Sequence, residues 1–426
     1  MDRGDRGVLT AAGFVLVAAL AAIGALPAPH LRIPLFLALY GTAFAAYGVA
    51  VRTVLRWRVP DHTAVITIVA VAALARAAVL PARPDLSTDI YRYAWEGRVM
   101  LEGVNPFAVA PADSSLAHLR NHDFEFVSHK HMTTIYPPLA QALFAVAAKI
   151  HPGVATLKLI FTLFDLGTVF LLLRLLRLRG RPGAHVLVYA WSPLVIVETG
   201  HSGHLDAVGV FMLVGGLALW LSGRRFWAGV ALGLSFLAKF LAAAMAPFLA
   251  RRAQVWTLVA AVVVAVVGYL PFLGAGERLL ESLRDYSAMW WFNGPPFLAL
   301  SGMLGDPMLA RRLLAAFGVA FAIAAALRER DLLRYAYLVV ACGILVAPTV
   351  YPWYVTWLVP FLCVFTNRGW IAFTGLVALS YIVWIIHERS GAWLLPTWVM
   401  ALEYLPFYSL LLIDMERARR SGEGRP

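Results

Sequence analysis

Residues 8–26 read VLTAAGFVLVAALAAIGAL, an apolar run without a charged residue. A stretch of about 20 such residues crosses a bilayer as one helix. Similar runs recur from end to end of the chain, and the alternating pattern of barrel strands is absent from them. Because only helices and closed barrels satisfy their own backbone in lipid, the runs predict an all-α polytopic integral membrane protein. A second run follows the first at once, which favours a retained membrane helix over a cleaved signal peptide.

The composition agrees with a membrane protein and argues against a nucleic-acid partner. Hydrophobic residues make up 61% of the chain and charged residues 14%, whereas soluble domains carry about 25% charged residues. The net charge of +12 is spread over short loops, without a basic stripe interleaved with aromatic residues. The two cysteines, Cys342 and Cys363, lie in apolar segments and are predicted as small core residues.

The hydrophobic pattern predicts a bundle of about 11 to 14 transmembrane helices. Residues 1–82 supply the N-terminal helices, 83–135 a large extracytoplasmic loop, 136–413 the main bundle and 414–426 a cytoplasmic tail. The spanning candidates lie near residues 8–26, 33–54, 62–82, 154–173, 184–200, 205–222, 226–250, 254–273, 308–326, 332–348, 355–366, 369–386 and 393–412.

Two segments do not fit a simple series of crossings. The run 136–150 is short for a crossing and begins Tyr136-Pro137-Pro138, so it is expected to lie along the interface or to enter the membrane part-way. The run 226–250 must cross twice, with a break near Lys239, if the basic residues after it are to lie inside.

Arginines predict the orientation of the bundle. If the basic connections are cytoplasmic, as the positive-inside rule requires, both termini are cytoplasmic and the loops 27–33, 83–135, 200–205, 275–307, 349–354 and 387–395 face outward. These outer loops hold most of the unusual polar and aromatic clusters, so the sequence predicts one extracytoplasmic site. The basic connections contain Arg52, Arg56, Arg58, Arg174, Arg177, Arg179, Arg181, Arg224, Arg225, Arg251, Arg252, Arg328, Arg330, Arg334, Arg368, Arg417, Arg419 and Arg420.

The first candidate for chemistry is Asp89, in the large outer loop. If the segment is helical, Asp89, Arg92 and Glu96 project from one face. A carboxylate beside an arginine stays ionised and can accept a proton from a hydroxyl nucleophile. The alternative is structural, with Asp89 as part of a helix N-cap in Ser87-Thr88-Asp89.

Further along the loop lie the polar residues His118, His122, His129, Lys130 and His131. They suit the binding of a phosphate or of sugar hydroxyls, or they belong simply to a solvated loop.

A second cluster occupies Glu198-Thr-Gly-His201-Ser-Gly-His204-Leu-Asp206. Its two histidines and Asp206 make a metal site conceivable, although ligand binding by the polar side chains, with glycines that let the ligand approach, is favoured. Lys239 interrupts an apolar run and requires an anion, either a ligand phosphate or one of Asp206 and Glu198. Lys158 and Asp165 are predicted to form an internal polar pair.

Aromatic side chains are concentrated in two other outer loops. Tyr351-Pro-Trp353-Tyr354 begins a short helix, and Trp290 and Trp291 lie in the 275–307 loop. Aromatic residues at a bilayer boundary are common anchors. Their faces also serve as platforms for sugar rings, so both interpretations stay open at this stage.

Together these motifs resemble the GT-C superfamily of membrane glycosyltransferases, and in particular bacterial enzymes that use polyprenyl-phosphate-mannose. The matching elements are Asp89-Ile-Tyr-Arg-Tyr93, Asn105-Pro-Phe107, Tyr136-Pro-Pro-Leu139, Gly200-His-Ser-Gly-His-Leu-Asp206 and Tyr351-Pro-Trp-Tyr354. The resemblance extends over about residues 83 to 360, and the Asp of the outer loop followed by Tyr-Pro-Pro is its most specific part.

The resemblance implies inverting transfer of a hexose such as mannose from a polyprenyl-phosphate donor to a hydroxyl of a lipid-linked glycan or envelope polymer. The reaction would take place on the outer face of the bacterial plasma membrane, without a metal or other cofactor, and membrane lipid would be a further partner. Asp89 would be the general base. The competing class is a transporter or flippase of lipid-linked sugars. The residues predicted to bind the donor phosphate or the sugar are Arg92, Lys239, His201, His204, Asp206, Tyr136, Tyr351 and Trp353.

Overall fold

The computed structural model describes residues 3–56, 62–251 and 254–421, which fold almost entirely into helices. No β-strand occurs among these residues, and an isolated bridge joins Phe292 to Thr349. The prediction of an all-α, multi-pass membrane protein is confirmed. Seven helices are long and apolar enough to cross a membrane, namely Gly4–Ala25, Ile33–Val54, Val154–Leu178, Val255–Met289, Pro307–Arg328, Arg368–Ser390 and Thr397–Arg417. Six further apolar helices of 10–17 residues accompany them in the described part of the chain, and the total number of crossings stays a prediction.

The N-terminal part of the described chain consists of α1 (Arg3–Ala25), α2 (Ile33–Val54) and α3 (His62–Val79), and both α2 and α3 pack against α1. The bounds of α2 are those predicted from the sequence. Its buried face carries apolar and tyrosine side chains such as Phe36 and Tyr47. Arg58, one of the predicted basic residues after α2, lies outside the described residues.

The large predicted loop contains α4 (Asp89–Leu101), followed by 3-10 turns at Ser114–Leu119 and His122–Phe126, and leads into α5 (Pro138–Ile150). Helix α5 begins at Pro138 because proline fits the first turn of a helix, where its missing N–H is not needed. Helices α4 and α5 pack against each other. With 13 residues, α5 is as short for a crossing as its sequence predicts.

The next segment runs from α6 (Val154–Leu178) through α7 (Leu187–Ala190), α8 (Pro193–Ile196) and a π-helical turn at Val197–His201 to α9 (Asp206–Leu221). The candidate span at 184–200 is not one continuous helix, and whether it crosses the membrane stays a prediction. Pro193 cannot donate to a preceding turn, and Ser192 before it leaves the helical conformation, so the chain breaks there.

The break predicted near Lys239 is confirmed. α10 (Arg225–Lys239) ends at that lysine, Phe240 takes a left-handed conformation with φ 58°, and α11 (Ala246–Arg251) follows a 3-10 turn. Whether the two parts cross the membrane separately stays a prediction. Arg252 lies outside the described residues.

The following five helices are α12 (Val255–Tyr269), α13 (Glu281–Met289), α14 (Pro295–Leu304), α15 (Pro307–Arg328) and α16 (Leu332–Val346). In α15 only 11% of the most apolar 18-residue stretch is buried inside the protein. The apolar side chains therefore face outward along most of the helix, as expected of a helix surrounded by lipid.

The C-terminal part contains α17 (Pro352–Val355), α18 (Val359–Leu362), α19 (Arg368–Leu376), α20 (Val383–Ser390) and α21 (Thr397–Ser421). The candidate span at 355–366 is not one continuous helix, because α17 ends at Val355 and α18 covers only Val359–Leu362, with Pro360 in its first turn. Whether the segment crosses the membrane stays a prediction. Helices α19 and α21 pack together. The last residues of the predicted cytoplasmic tail, 422–426, lie outside the described residues.

The predicted pair of Lys158 and Asp165 is also wrong. Asp165 accepts from Arg76 Nε at 2.6 Å and from the Tyr189 hydroxyl at 2.7 Å, whereas Lys158 Nζ donates to the carbonyl of Ala82 at 2.5 Å. Both cations are buried, and a buried charge needs such partners. Sequence spacing within α6 could not reveal that the partners come from other segments.

The arginine-bearing connections contact one another at the C-terminal end of α6. Arg179 forms an ion pair with Asp331, and Arg251 donates to the carbonyl of Ala326. At the same end, Arg174 donates to Ser222 Oγ at 3.0 Å. Residues predicted to lie inside therefore meet at one end of the molecule, away from Lys158 in the first turns of α6.

Candidate active site

A cavity of about 720 Å³ lies where the predicted outer loops meet. It is flanked by the start of α4, the end of α13 and the α17 and α20 regions. Four of the predicted outer loops, 83–135, 275–307, 349–354 and 387–395, contribute lining residues, whereas 27–33 and 200–205 do not. The lining residues come from segments 86–92, 128–136, 286–292, 351–354 and 380–394, together with Lys239.

Asp89 occupies the first position of α4 and lines this cavity. The N-cap position belongs to Thr88, whose side chain makes no cap hydrogen bond, and the backbone N–H of Asp89 donates to Ser87 Oγ at 3.3 Å. The carboxyl of Asp89 is therefore not used as the N-cap acceptor that the structural alternative required. At the positive end of the helix dipole, its charged form is stabilised.

Burial raises the pKa of the Asp89 carboxyl to about 6, with the Asp206 carboxylate adding to the increase and the cations of Lys239 and Arg92 opposing it. Although 31% of the side-chain surface is accessible, Asp89 lines the cavity, and that surface faces its interior. A pKa near neutrality suits a general base, which must be ionised before it accepts a proton yet basic enough to take it.

Arg92 lies one turn after Asp89 and ties the loop to α4. Its Nε donates to Glu96 Oε1 at 2.6 Å, Nη1 donates to the carbonyl of His129 at 3.1 Å, and Nη2 donates to that of Met132 at 2.8 Å. Glu96 also accepts from Gln141 Nε2 at 2.6 Å. Arg92 lines the cavity, and its hydrogen bonds hold the loop that forms part of the cavity wall. The contact of Arg92 with a donor phosphate stays a prediction.

Asp89 is the only carboxylate among the described residues that line the cavity. The other acidic candidates are buried and already partnered. Glu96 is paired with Arg92, Glu198 accepts from the Tyr381 hydroxyl at 2.7 Å, and Asp206 accepts from Trp357 Nε1 at 2.7 Å. A hydroxyl nucleophile inside the cavity therefore meets one carboxylate, besides the imidazoles of His129 and His387.

Lys239 ends α10, pairs with one of the carboxylates suggested by its sequence context and also lines the cavity. Its Nζ lies 3.3 Å from Asp206 Oδ2, which makes Asp206 the anion of the protein. The ammonium also lines the cavity, between the rings of Tyr136 at 5.8 Å and Tyr354 at 5.7 Å. It can therefore keep its ion pair and still face an anionic ligand.

The structure places His201, His204 and Asp206 behind the cavity wall, with at most 2% of each residue exposed. They are not among the residues that line the cavity. No group of three or more His, Cys, Asp or Glu side chains in the described ranges has the geometry to hold a metal ion, so the conceivable metal site is not formed there.

The glycines of this cluster serve the packing of helices. A Cβ added at Gly203, whose φ is 74°, would lie 2.3 Å from Ile90 Cδ1, and one at Gly200 would lie 2.8 Å from Val79 Cγ2. The interpretation that they make room for a ligand is therefore wrong. Gly203 instead lets the turn before α9 approach the start of α4, which brings His204 beside Asp89.

Stacked rings form one wall of the cavity. Phe292 stacks on Tyr351 with ring centroids 4.6 Å apart, Tyr351 on Trp353 at 4.4 Å, and Trp353 on His204 at 4.0 Å. Tyr354 lies beside this stack, and its hydroxyl is 2.7 Å from that of Tyr286. The predicted residues Tyr136, Tyr351 and Trp353 all line the cavity, which suits an aromatic platform for a sugar.

The sequence interpretation missed the C-terminal wall of the cavity, which includes Tyr381, Trp384, His387 and Trp393. Trp384 Nε1 donates to the carbonyl of Leu86 at 3.2 Å and so joins this wall to the residues before Asp89. The signal available was the loop 387–395, which was predicted to face outward but was not connected with the site.

Left-handed backbone conformations also concentrate around the site. The non-glycine residues with positive φ in the described part of the chain are Ala28, His129, Phe240 and Asn293, and the last three flank or line the cavity. The Asn293 side chain donates to Glu403 at 2.7 Å, and its carbonyl accepts from the Tyr404 hydroxyl at 2.7 Å. Such costly conformations persist only where the surroundings fix them, and they cluster at functional sites.

The helices and the cavity define a multi-pass membrane protein with an enzyme-like site, in which Asp89 is the one carboxylate among the described lining residues. Residues 7–255, more than half of the chain, match the family model of the alpha-(1->6)-mannopyranosyltransferase N-terminal domain, and the chain belongs to that family of glycosyltransferases. The GT-C resemblance and the prediction of a mannosyltransferase are confirmed. Comparisons with curated proteins and with solved structures find no match.

Proposed function

We propose that the protein transfers mannose from a polyprenyl-phosphate donor to a hydroxyl of a glycan or glycolipid, on the outer face of the bacterial plasma membrane and with inversion. Asp89 is the general base. The observation that carries this proposal is that Asp89 is the single carboxylate among the described residues of the cavity wall. An inverting transfer needs one base for the acceptor hydroxyl, whereas a glycosidase needs two carboxyl groups.

The donor phosphate is held by Lys239 and Arg92. A polyprenyl phosphate leaves as an anion, so its departure requires stabilisation of negative charge and not protonation. The two cations line the same cavity as Asp89, and the proposal therefore needs no metal cofactor. Tyr136, Tyr351 and Trp353 are proposed to pack against the sugar.

The family name describes an α-(1→6) linkage, which makes the primary 6-hydroxyl of a mannosyl residue the proposed acceptor. An inverting reaction then requires a donor with the opposite, β, configuration. Family membership favours the transferase over the transporter or flippase of lipid-linked sugars. Both termini are proposed to be cytoplasmic, since the cavity-forming loops carry few arginines.

The test uses purified protein in liposomes with a panel of radiolabelled polyprenyl-phosphate sugars and a mannoside acceptor. Asp89→Asn keeps the shape of the side chain and removes its basicity, so we expect transfer to fall by about 10²–10⁴-fold while donor binding is retained. The matched control is Glu102→Gln, an exposed carboxylate at the other end of α4. Turnover of the Asn variant near that of the control would remove Asp89 from the base role.

A further inference from the structure

His204 lies behind Asp89 with its two ring nitrogens directed at two carboxyl groups. Nδ1 is 3.9 Å from Asp89 Oδ2, and Nε2 is 3.5 Å from Glu198 Oε2. Only 1% of the side chain is accessible, and neither nitrogen has a hydrogen-bond partner at the usual distance. Buried polar atoms of this kind are rare in folded proteins and ask for an explanation.

The ring is fixed in this place from three sides. It stacks on Trp353 at 4.0 Å between centroids. Gly203 before it allows the close approach to α4. On the far side, Glu198 is itself held by the Tyr381 hydroxyl at 2.7 Å. The imidazole is therefore prevented from turning away, and a shift of less than 1 Å toward Asp89 would close a hydrogen bond.

We propose that His204 is a positioning residue for Asp89, and that its Nδ1–H donates to the Asp89 carboxylate when substrates fill the cavity. The inference rests on the proposed role of Asp89 as base. Catalytic hydrogen bonds are often long in an empty site and shorten in the substrate complex. In this tautomer Nε2 carries no hydrogen. It accepts a hydrogen bond from the Glu198 carboxyl when that carboxyl is protonated. The imidazole stays neutral, and no proton leaves it during the reaction.

A hydrogen bond to the ionised form of a carboxyl favours that form. His204 therefore keeps Asp89 ionised at lower pH than burial alone would allow, and it aims the carboxylate into the cavity. Other ionisable side chains act on Asp89 from the surrounding segments, and the test must leave them unchanged; they are Arg92, Tyr93, Tyr136, Asp206, Lys239, Tyr286 and Tyr351.

The test compares three substitutions of His204. His204→Phe keeps a ring for Trp353 and removes both nitrogens. His204→Asn places its amide near the Nδ1 position, whereas His204→Gln places its amide near the Nε2 position. For Phe and Gln we expect the acid limb of kcat against pH to move upward by about one unit, with a rate loss of about 5-fold at pH 6 that is largely recovered at higher pH. For His204→Asn we expect the acid limb to stay near its position in the unsubstituted protein. In all three variants the donor KM should change little.

A rate loss in the Phe variant without movement of the acid limb would mean that His204 only packs, and would overturn the proposal. Equal pH profiles of the Asn and Gln variants would also overturn it, and this comparison decides if the Phe variant does not fold. Asp89→Asn is measured in parallel. If it retains turnover, the base assignment itself has failed; if it loses turnover while the Phe profile is unmoved, only the role of His204 is wrong.

Discussion

The carboxyl of Asp89 combines properties that a surface carboxylate does not have. It begins a helix, faces a cavity and stands within Coulombic range of both Lys239 and Asp206. Burial favours its neutral form, whereas the helix dipole and the cations favour its charged form. The balance leaves a base that titrates close to physiological pH.

The pH dependence of transfer follows from this balance. As the proposed base, Asp89 accepts a proton only when it is ionised, and burial raises its pKa to about 6. Below that pH the ionised fraction falls about tenfold per unit. We therefore expect kcat/KM to be half-maximal near pH 6, to fall on the acid side and to be flat just above. Because the Lys239 cation lowers this pKa, Lys239→Met should move the acid limb to higher pH.

If Lys239 holds the donor phosphate as proposed, Lys239→Met should also raise the donor KM, because the phosphate loses a cation. Both effects are measured from transfer rates against pH and against donor concentration, with Lys149→Met as the control that removes an exposed charge from the end of α5. Size-exclusion profiles check that the loss of the partner of Asp206 leaves the protein folded. If neither the donor KM nor the acid limb of the pH profile changed, Lys239 would serve only as the ion-pair partner of Asp206.

At the scale of elements, the Arg92–Glu96 pair fastens the loop before α5 to α4. Thr134 Oγ1 and Gln141 Nε2 donate to the same Glu96 oxygen, at 2.8 and 2.6 Å. One buried carboxylate thus joins two helices and the loop between them, and the cavity wall at His129 depends on it. Removing one partner of a buried ion pair is expected to cost about 3–5 kcal/mol.

Glu96→Gln leaves Arg92 without its counter-ion and should loosen this loop. We expect faster tryptic cleavage after Lys130 and a lower thermal unfolding midpoint, with Glu102→Gln as the control. Donor at saturating concentration should slow the cleavage. The same cleavage rate in both variants would mean that the backbone contacts of Arg92 hold the loop without the carboxylate.

Elements differ in how far the sequence predicts them. The bounds of α2 and the end of α10 at Lys239 follow from uninterrupted apolar runs and from a charge that cannot continue into lipid. The segment 184–200 is equally apolar, yet it is broken at Pro193 and packed in the core, because hydropathy does not distinguish burial in protein from burial in lipid.

The same limit applies to the site. Asp89, Lys239 and the Tyr351 motif could be recognised from the sequence because each interrupts its local pattern. The partner of Asp165, the stacking of His204 on Trp353 and the wall at Trp384 depend on contacts between distant segments. One sequence without structure offers no measure of those contacts.

At the scale of the whole molecule, the cavity and the arginine-bearing connections lie toward opposite ends of α6 and α9. Arg179 pairs with Asp331 and Arg174 contacts Ser222 at one end, while Asp206 lies at the other, near Lys239 and the cavity. This separation agrees with the orientation that the arginines predict.

Cysteine labelling tests the orientation. Ser115→Cys, in an exposed part of the large loop, should react with a membrane-impermeant maleimide in intact cells. Arg330→Cys, exposed between α15 and α16, should react only after the membrane is opened. Cys342 and Cys363 are buried and should give little background. The reverse pattern would place the cavity on the cytoplasmic side.

A general base in an open cavity does not distinguish chemically between an acceptor hydroxyl and a water molecule. If Asp89 activates the nucleophile, water that reaches the same position would release free mannose and waste the donor. The volume of about 720 Å³ leaves room for many water molecules before an acceptor arrives. Fidelity of the proposed transfer therefore depends on keeping water out of line with the anomeric carbon. Because water competes with the acceptor in this way, we expect slow hydrolysis of the donor when no acceptor is present.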